Sequence, residues 1–291
     1  MIKNDLKNCI SPLKLNLYLH LINKTCDGYH NLESLMTFCD YGDFISIKEE
    51  KDFSFTIDGP FAKNLSKTEN IILDAVKLLE EYAKFKINVH IKLTKNIPVA
   101  SGMGGGSSNA ATVIHCLKDL LEFSIEKNSM DSLLFSLGAD VPFCFFRNTA
   151  IVRGKGEKIE FISSKIPEFP VLLINPLIEV STKRIFESIK LFNQKRKDCD
   201  MDFFNPDLFL EGLNKKNNDL EGVAERICPI IKKITSFLKA ETNSKLVRMT
   251  GSGATCFGLF DNISDLNQAD ILINSMFKEI WTKKTKIINK I

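Results

Sequence analysis

No stretch of the sequence approaches the roughly 18 uninterrupted apolar residues that a membrane-spanning helix needs. The opening MIKNDLKNCISPLKLN lacks the long apolar core of a secretory signal, so the expected location is cytoplasmic. Excess charge is small: 39 Lys and Arg against 36 acids leave a formal +3. That surplus, with no basic-aromatic cluster, argues against nucleic acid or a membrane surface as partner, although a local cationic site for an anionic substrate stays open. The eight cysteines (Cys9, Cys26, Cys39, Cys116, Cys144, Cys199, Cys228 and Cys256) form no CxxC pair. Neither a metal knuckle nor a redox dithiol is therefore written locally, and reduced, buried thiols are expected. No two of the four histidines have metal-ligand spacing, and His90 and His115 read as structural. Internal repeats and low-complexity segments are also missing.

What is present is an ordinary globular composition, 44% hydrophobic and 26% charged over 291 residues, enough chain for one large or two ordinary domains. From Lys14 to Leu21, leucines alternate with Lys14, Asn16, Tyr18 and His20. A period of two predicts a strand with one buried face and sets Lys14 and Asn16 side by side on the other. Phe44 to Lys48, Phe53 to Ile57 and Lys86 to Leu93 read as strands. Asn70 to Phe85 reads as an amphipathic helix preceded by a capping box, Ser66 with Glu69. Helices are expected over Ser107 to Leu121 and Asp131 to Leu137, the latter stopped by Gly138, then a strand-like run after Ala139-Asp-Val-Pro-Phe143. In the second half, Val171 to Ile174, Leu246 to Met249 and Ala254 to Phe260 read as strands. Thr182 to Phe192 and Leu220 to Leu238 read as helices, Asn193 to Asp200 as a loop, and a final helix and strand follow. Strands and helices mix in both halves, which makes the class α+β with two domains, 1–156 and 157–291.

Between a strand and a helix lies Pro98-Val-Ala-Ser-Gly-Met-Gly-Gly-Gly-Ser-Ser-Asn109, in which four of the seven residues from Gly102 to Ser108 are glycine. Glycine lets a ligand approach backbone N–H groups closely, and a helix N-terminus favours an anion. Ser107 and Ser108 can offer hydroxyls to a phosphate or to Mg²⁺. A P-loop needs a lysine after Gly106, and the dinucleotide fingerprint needs a glycine where Ser107 stands, so both are excluded. Taken alone, Asp140 reads as a capping or turn aspartate, Lys14 as a solvated lysine, and Thr250-Gly-Ser-Gly253 as a hairpin turn.

Together these segments resemble the GHMP kinases (galacto-, homoserine, mevalonate and phosphomevalonate kinases). Pro98 to Asn109 is similar to their phosphate-binding motif. Lys14-Leu-Asn-Leu, Asp27-Gly-Tyr-His30, Asp40-Tyr-Gly-Asp43, Leu137-Gly-Ala-Asp-Val-Pro142 and Met249-Thr-Gly-Ser-Gly-Ala254 resemble, in order and over nearly the whole chain, a particular branch. Its members phosphorylate the 2-hydroxyl of 4-diphosphocytidyl-2-C-methyl-D-erythritol in non-mevalonate isoprenoid precursor synthesis. Asp27 to His30 discriminates most, because a cytosine clamp has no use in a homoserine or mevalonate kinase. A catalytically dead nucleotide sensor would have lost Asp140 or Lys14, and both are present.

The resemblance implies an S5-like N-terminal and a ferredoxin-like C-terminal domain. It implies ATP as co-substrate with Mg²⁺, a small-molecule partner bearing a cytidine diphosphate group, and a monomer or weak homodimer. Pro98, Val99, Ala100, Ser101, Gly102, Met103, Gly104, Gly105, Gly106, Ser107 and Ser108 would hold the nucleotide, with Ser108 the candidate to reach Mg²⁺. Asp140 would take the hydroxyl proton or orient the hydroxyl, and Lys14 would favour its ionised form and stabilise the transferring phosphoryl group. Asn16 and Thr182 would contact substrate, and Tyr29, His30 and Phe186 would hold the cytosine. Ala100 and Ser101 stand where some members have glycine, and Lys183 where many have proline. The first departure is expected to change loop flexibility more than phosphate contacts.

Overall fold

The computed structural model describes residues 6–26, 28–122, 124–189 and 201–290. Asp27, the expected loop Asn193 to Asp200 and the last residues of the helix expected to reach Phe192 lie outside them. The strands are β1 (Leu6–Lys24), β2 (His30–Glu49), β3 (Ser54–Asp58), β4 (Val89–Thr94), β5 (Ala150–Gly154), β6 (Lys158–Phe161), β7 (Pro170–Asn175), β8 (Leu246–Met249), β9 (Cys256–Leu259) and β10 (Trp281–Ile288). The helices are α1 (Ile71–Ala83), α2 (Gly105–Leu120), α3 (Lys127–Leu137), α4 (Val141–Phe146), α5 (Thr182–Glu187), α6 (Pro206–Asn214), α7 (Glu221–Ile227), α8 (Ile230–Glu241) and α9 (Ile263–Met276).

Two compact units emerge, neither continuous in sequence. Unit one combines 6–13, Tyr41–Val99 and Gly104–Arg147; unit two combines Lys14–Asp40, Ala100–Met103 and 148–290. The chain thus passes from one to the other inside β1, inside β2, twice within the glycine loop and once more after Arg147.

In unit one, β4 pairs antiparallel with β2 (Ile45↔Leu93, Ile47↔Ile91) and parallel with β3 (Phe55↔Ile91). The parallel pair needs a crossover, which α1 supplies, with α1, α2, α3 and α4 packed on one another. Asn70 caps α1, its side chain accepting from Ile72 N at 3.1 Å. The capping box is displaced: Ser66 Oγ accepts from Thr68 N and Glu69 N, 3.1 and 2.9 Å, and so closes the turn before the helix. α3 ends at Gly138 as expected. Val141 to Phe146 is α4, so the strand-like run expected after Phe143 begins only at Ala150, as β5; Pro142 in the first turn of α4 loses no helical hydrogen bond, since that N–H would have had no partner.

In unit two, β10, β7, β9 and β8 lie side by side in that order, all antiparallel. With α8 before β8 and α9 between β9 and β10, this is the strand order of a ferredoxin-like β-α-β-β-α-β unit. α8 and α9 pack on the sheet and on each other, burying Leu172, Ile174, Ile231, Ile234, Leu238, Phe260, Leu266 and Ile273. Each such side chain contributes about 1.5–3 kcal/mol on leaving water. The helix expected from Leu220 to Leu238 is two, because Pro229 cannot donate within a continuous helix. β2 extends the sheet through β10 (Ile287↔Cys39) and carries β5 and β6.

Two expectations about exposure change. β1 is buried on both faces from Ser11 to Leu21, for reasons given below. Among the described cysteines, none is in a disulfide; most are buried, but Cys26 is exposed and Cys9 half-buried, its Sγ 2.6 Å from that of Cys116. Among the described residues no helix is long and apolar enough to cross a membrane.

Candidate functional site

In unit one, α2 begins at Gly105, two residues before the expected Ser107. Its N-cap, Gly104, takes φ +66°, and no side chain caps the helix. Ser108 N donates to Gly104 O at 2.9 Å, so the N–H groups ahead of it have no partner within the helix and carry the positive end of its dipole. Gly106 is exposed and Ser107 half-buried. Ser108 is buried and accepts a hydrogen bond from Ser11 Oγ at 3.0 Å, leaving Ser107 as the more open hydroxyl. The Lys95 ammonium lies beneath this turn: a Cβ on Gly105 would stand 3.0 Å from Lys95 Nζ. Burial pushes that ammonium below the ordinary lysine value, partly offset by the carboxylate of Asp43.

Asp140, half-buried, occupies the N-cap position of α4. Its side chain makes no capping hydrogen bond, and the helix is entered through its backbone O, which accepts from Cys144 N at 3.1 Å. Of the capping or turn reading, the turn holds, Asp140 lying in the turn between α3 and α4, and the helix cap does not.

In unit two, Lys14 and Asn16 stand side by side on β1 as the alternation predicts, Lys14 Nζ donating to Asn16 Oδ1 at 2.7 Å. Their face is covered by two loops. Lys14 N donates to Met103 O at 3.0 Å. Asn16 N donates to Thr250 Oγ1 at 2.9 Å, and Asn16 Nδ2 to Ser34 Oγ at 2.8 Å. That cover leaves Lys14 only 4% and Asn16 3% exposed. The lysine is not the solvated one its local sequence suggests.

The same two loops meet at their glycines. A Cβ on Gly102 would lie 2.5 Å from Thr250 O and 2.8 Å from Gly253 N, and one on Gly251 would lie 2.6 Å from Gly102 O. Thr255 N donates to Ser101 O at 3.3 Å. Thr250 to Gly253 does join the antiparallel β8 and β9, so the hairpin reading stands; it also forms the wall against which Ala100 to Met103 is laid. Asn218 Nδ2 holds that wall through Met249 O and Gly251 O, both at 2.8 Å. Thr182 Oγ1 is 2.8 Å from Ser252 Oγ. Ala100 itself adopts φ +50°, a left-handed conformation that glycine takes without strain.

The cytosine candidates group in part. His30 and Phe186 have ring centroids 5.2 Å apart at 37°. Tyr29 is exposed, with Lys155 Nζ 4.8 Å above its ring. Burial, then the nearby Lys24, holds His30 below the usual imidazole value, so at neutral pH its ring keeps one donor and one acceptor nitrogen.

Sequence reasoning left out Ser34, Asn218, Ser252 and Asp43. Ser252, between its glycines, and Asp43, in Asp40-Tyr-Gly-Asp43, stood in motifs but were given no role; Ser34 and Asn218 are single polar residues whose partners lie elsewhere along the chain. His90, bonded to Ser54 Oγ at 2.7 Å, and His115, stacked on Phe145 at 4.0 Å, are structural as expected. Among the described residues no three His, Cys, Asp or Glu side chains gather as a metal site.

Family models agree with this layout. Residues 70–148 match the GHMP kinases N terminal domain and 202–281 the GHMP kinases C terminal domain. The 4-diphosphocytidyl-2-C-methyl-D-erythritol kinase of Chelativorans sp. (strain BNC1) is 39% identical over 269 residues, 91% of each chain. That of Rhizobium meliloti (strain 1021) is 36% identical over 287 residues, 96% of this chain and 95% of the relative. A crystal structure of 4-(cytidine 5'-diphospho)-2C-methyl-D-erythritol kinase superposes with a TM-score of 0.78 at 27% identity, covering 97% of this chain and all 100% of that one. Methanococcus jannaschii mevalonate kinase, at TM-score 0.70 and 14% identity over 99% of both chains, shares the fold. The chain belongs to the GHMP kinases, in the family of the 4-diphosphocytidyl-2-C-methyl-D-erythritol kinases.

Proposed function

We propose that this chain is a cytoplasmic kinase that transfers the ATP γ-phosphate to the 2-hydroxyl of 4-diphosphocytidyl-2-C-methyl-D-erythritol, a step in non-mevalonate isoprenoid precursor synthesis. The observation that carries the kinase reading is the first turn of α2. It is uncapped, opens on a left-handed glycine and has the Lys95 ammonium packed beneath it. Such a turn offers oriented N–H donors and positive charge to a polyphosphate.

Pro98 to Ser108 bind the nucleotide, with Gly104 to Ser107 supplying backbone donors to the phosphates. Mg²⁺ would neutralise phosphate charge. Such an ion is commonly held mainly by phosphate and water, and the hydroxyl of Ser107 or Ser108 would be its protein ligand. Asp140 orients the substrate hydroxyl and accepts its proton. Lys14, desolvated and held by Asn16, stabilises charge on the transferring phosphoryl group. Asn16 and Thr182 position the alcohol. The neutral imidazole of His30 presents its donor and acceptor to the cytosine edge, with Tyr29 and Phe186 offering ring faces.

A coupled ADP-release assay tests the reading. Turnover is expected with the cytidyl substrate and not with homoserine or mevalonate; activity confined to either of the latter two would refute the substrate assignment.

A further inference from the structure

Asp43, in the motif Asp40-Tyr-Gly-Asp43, takes no part in the chemistry proposed above, yet it is fully buried at 0% exposure. Both carboxylate oxygens are committed, and to opposite ends of one segment. Oδ1 accepts from Asn96 N at 2.7 Å and Ile97 N at 2.9 Å, the last residues before Pro98. Oδ2 accepts from Asn109 Nδ2 at 2.9 Å, the residue that follows Ser108 in the first turns of α2, and from Lys95 Nζ. One carboxylate thus ties the entrance of the glycine-rich segment to its exit, and its ion-pair partner is the ammonium beneath Gly105. Charge-assisted hydrogen bonds of this kind are short and directional. Tyr41 also donates to Asn96 O at 3.3 Å and Ser11 Oγ to Ser108 Oγ at 3.0 Å, but each of these holds one end, whereas Asp43 bonds at both, and the N-cap of α2 is a glycine without a side chain. A segment with four glycines pays a large entropic cost to be ordered around a ligand, and fixing both ends in advance lowers that cost.

We propose that Asp43 is a positioning residue: through Asn96, Ile97, Asn109 and Lys95 it clamps both ends of the phosphate-binding segment and thereby sets nucleotide affinity. This rests on the reading of Gly104 to Ser107 as the phosphate site. Asp43 touches no reacting atom in this scheme, so its effect falls on ATP binding and not on the transfer step.

Asn109→Ala removes only the helix arm of the clamp and leaves the Asp43–Lys95 ion pair in place. Expected are an ATP Kd, measured by titration calorimetry with no alcohol present, about tenfold weaker than wild type, a KM for ATP raised in parallel, and an unchanged KM for the alcohol. At saturating ATP, kcat stays within about twofold. Asp43→Asn keeps an acceptor for the two backbone N–H groups but turns the other oxygen into a donor that faces Asn109 Nδ2 and Lys95; its ATP affinity falls further. Adding Asn109→Asp to it lets the new amide donate to the new carboxylate, and ATP affinity recovers, which a role in bulk stability alone would not produce. The proposal is overturned if Asn109→Ala binds ATP as wild type does, if kcat and both KM values decline together with the folded fraction, or if the paired exchange recovers stability without ATP affinity. Wild-type protein that binds ATP yet phosphorylates none of the alcohols would refute the proposed reaction and leave the clamp standing. Failure of the wild type to bind ATP would refute both.

Discussion

Gly102→Ala probes the contact between the two glycine loops. Gly102 has φ +75°, where an alanine costs roughly 1–2 kcal/mol. The added Cβ would meet Thr250 O at 2.5 Å, Gly253 N at 2.8 Å and Gly253 O at 2.9 Å. All three are backbone atoms, so no side chain can swing away, and the loop or the turn has to move; overpacking of this kind costs about 1–3 kcal/mol. Together the loss of stability is expected at about 2–5 kcal/mol, a large part of the roughly 5–15 kcal/mol available to a folded domain. Urea unfolding gives the stability and titration calorimetry the ATP affinity, and both should fall. Gly106→Ala is the control. Its nearest neighbour would be Ile71 Cγ2 at 3.7 Å, and alanine is favoured over glycine inside a helix by about 0.5–1 kcal/mol, so stability should hold or rise. Yet Gly106 is exposed in the first turn, where the proposed function puts the phosphate oxygens, and ATP affinity should drop. Gly102→Ala with Gly251→Ala should be less damaging than the sum of the two, because each displaces the same pair of loops. Wild-type stability in Gly102→Ala, or unchanged ATP affinity in Gly106→Ala, would refute the reasoning.

Three further outcomes are expected. Asp140→Ala should abolish phosphoryl transfer while ATP still binds, because its carboxylate caps no helix; near-normal turnover in the coupled assay would remove it from the mechanism. Arg248 is buried, its value pushed down to about 10 by desolvation, and its guanidinium donates to Leu17 O, to Leu213 O at 3.1 Å and to Lys216 O at 2.6 Å. Arg248→Lys cannot reproduce that planar fork and should lose about 2–4 kcal/mol in urea unfolding, since carbonyls and a charge are left buried without partners. His30 and His115 both titrate below the usual 6.5, chiefly through burial. Below that value the unfolded chain takes up protons that the folded chain resists, so stability is full above about pH 7 and declines as pH falls through the folded values. The urea midpoint should drop between pH 7 and pH 5.5, and His115→Gln should flatten the drop.

The local signals in this sequence were strong where the physics is local. Leucine alternation at Leu15 to Leu21 determined a strand and placed Lys14 beside Asn16, because side chains on a pleated strand alternate whatever surrounds it. Glycine at Gly138 marked where a helix stops, whereas the break at Pro229 was passed over by a reading that followed the apolar pattern from Leu220 to Leu238. The Gly102 to Ser108 cluster marked a place where the backbone is open to close approach. The tertiary structure decided what those elements are next to. Local sequence reads Lys14 as solvated, and the cover supplied by Met103 and Thr250 buries it. Thr250 to Gly253 reads as a hairpin turn; what makes it a wall of the glycine loop is a contact with Gly102, about 150 residues earlier, that requires glycine on both sides. Asn218 gave no signal, and Asp43 stood in a motif without a role, since one polar residue among many becomes an anchor only when distant N–H and C=O groups converge on it. Periodicity and backbone stereochemistry are properties of neighbouring residues and survive in a string of letters. Burial and hydrogen-bond partnership are properties of the folded chain, and here they turn a plain lysine, a turn and an aspartate into parts of one phosphate-handling apparatus.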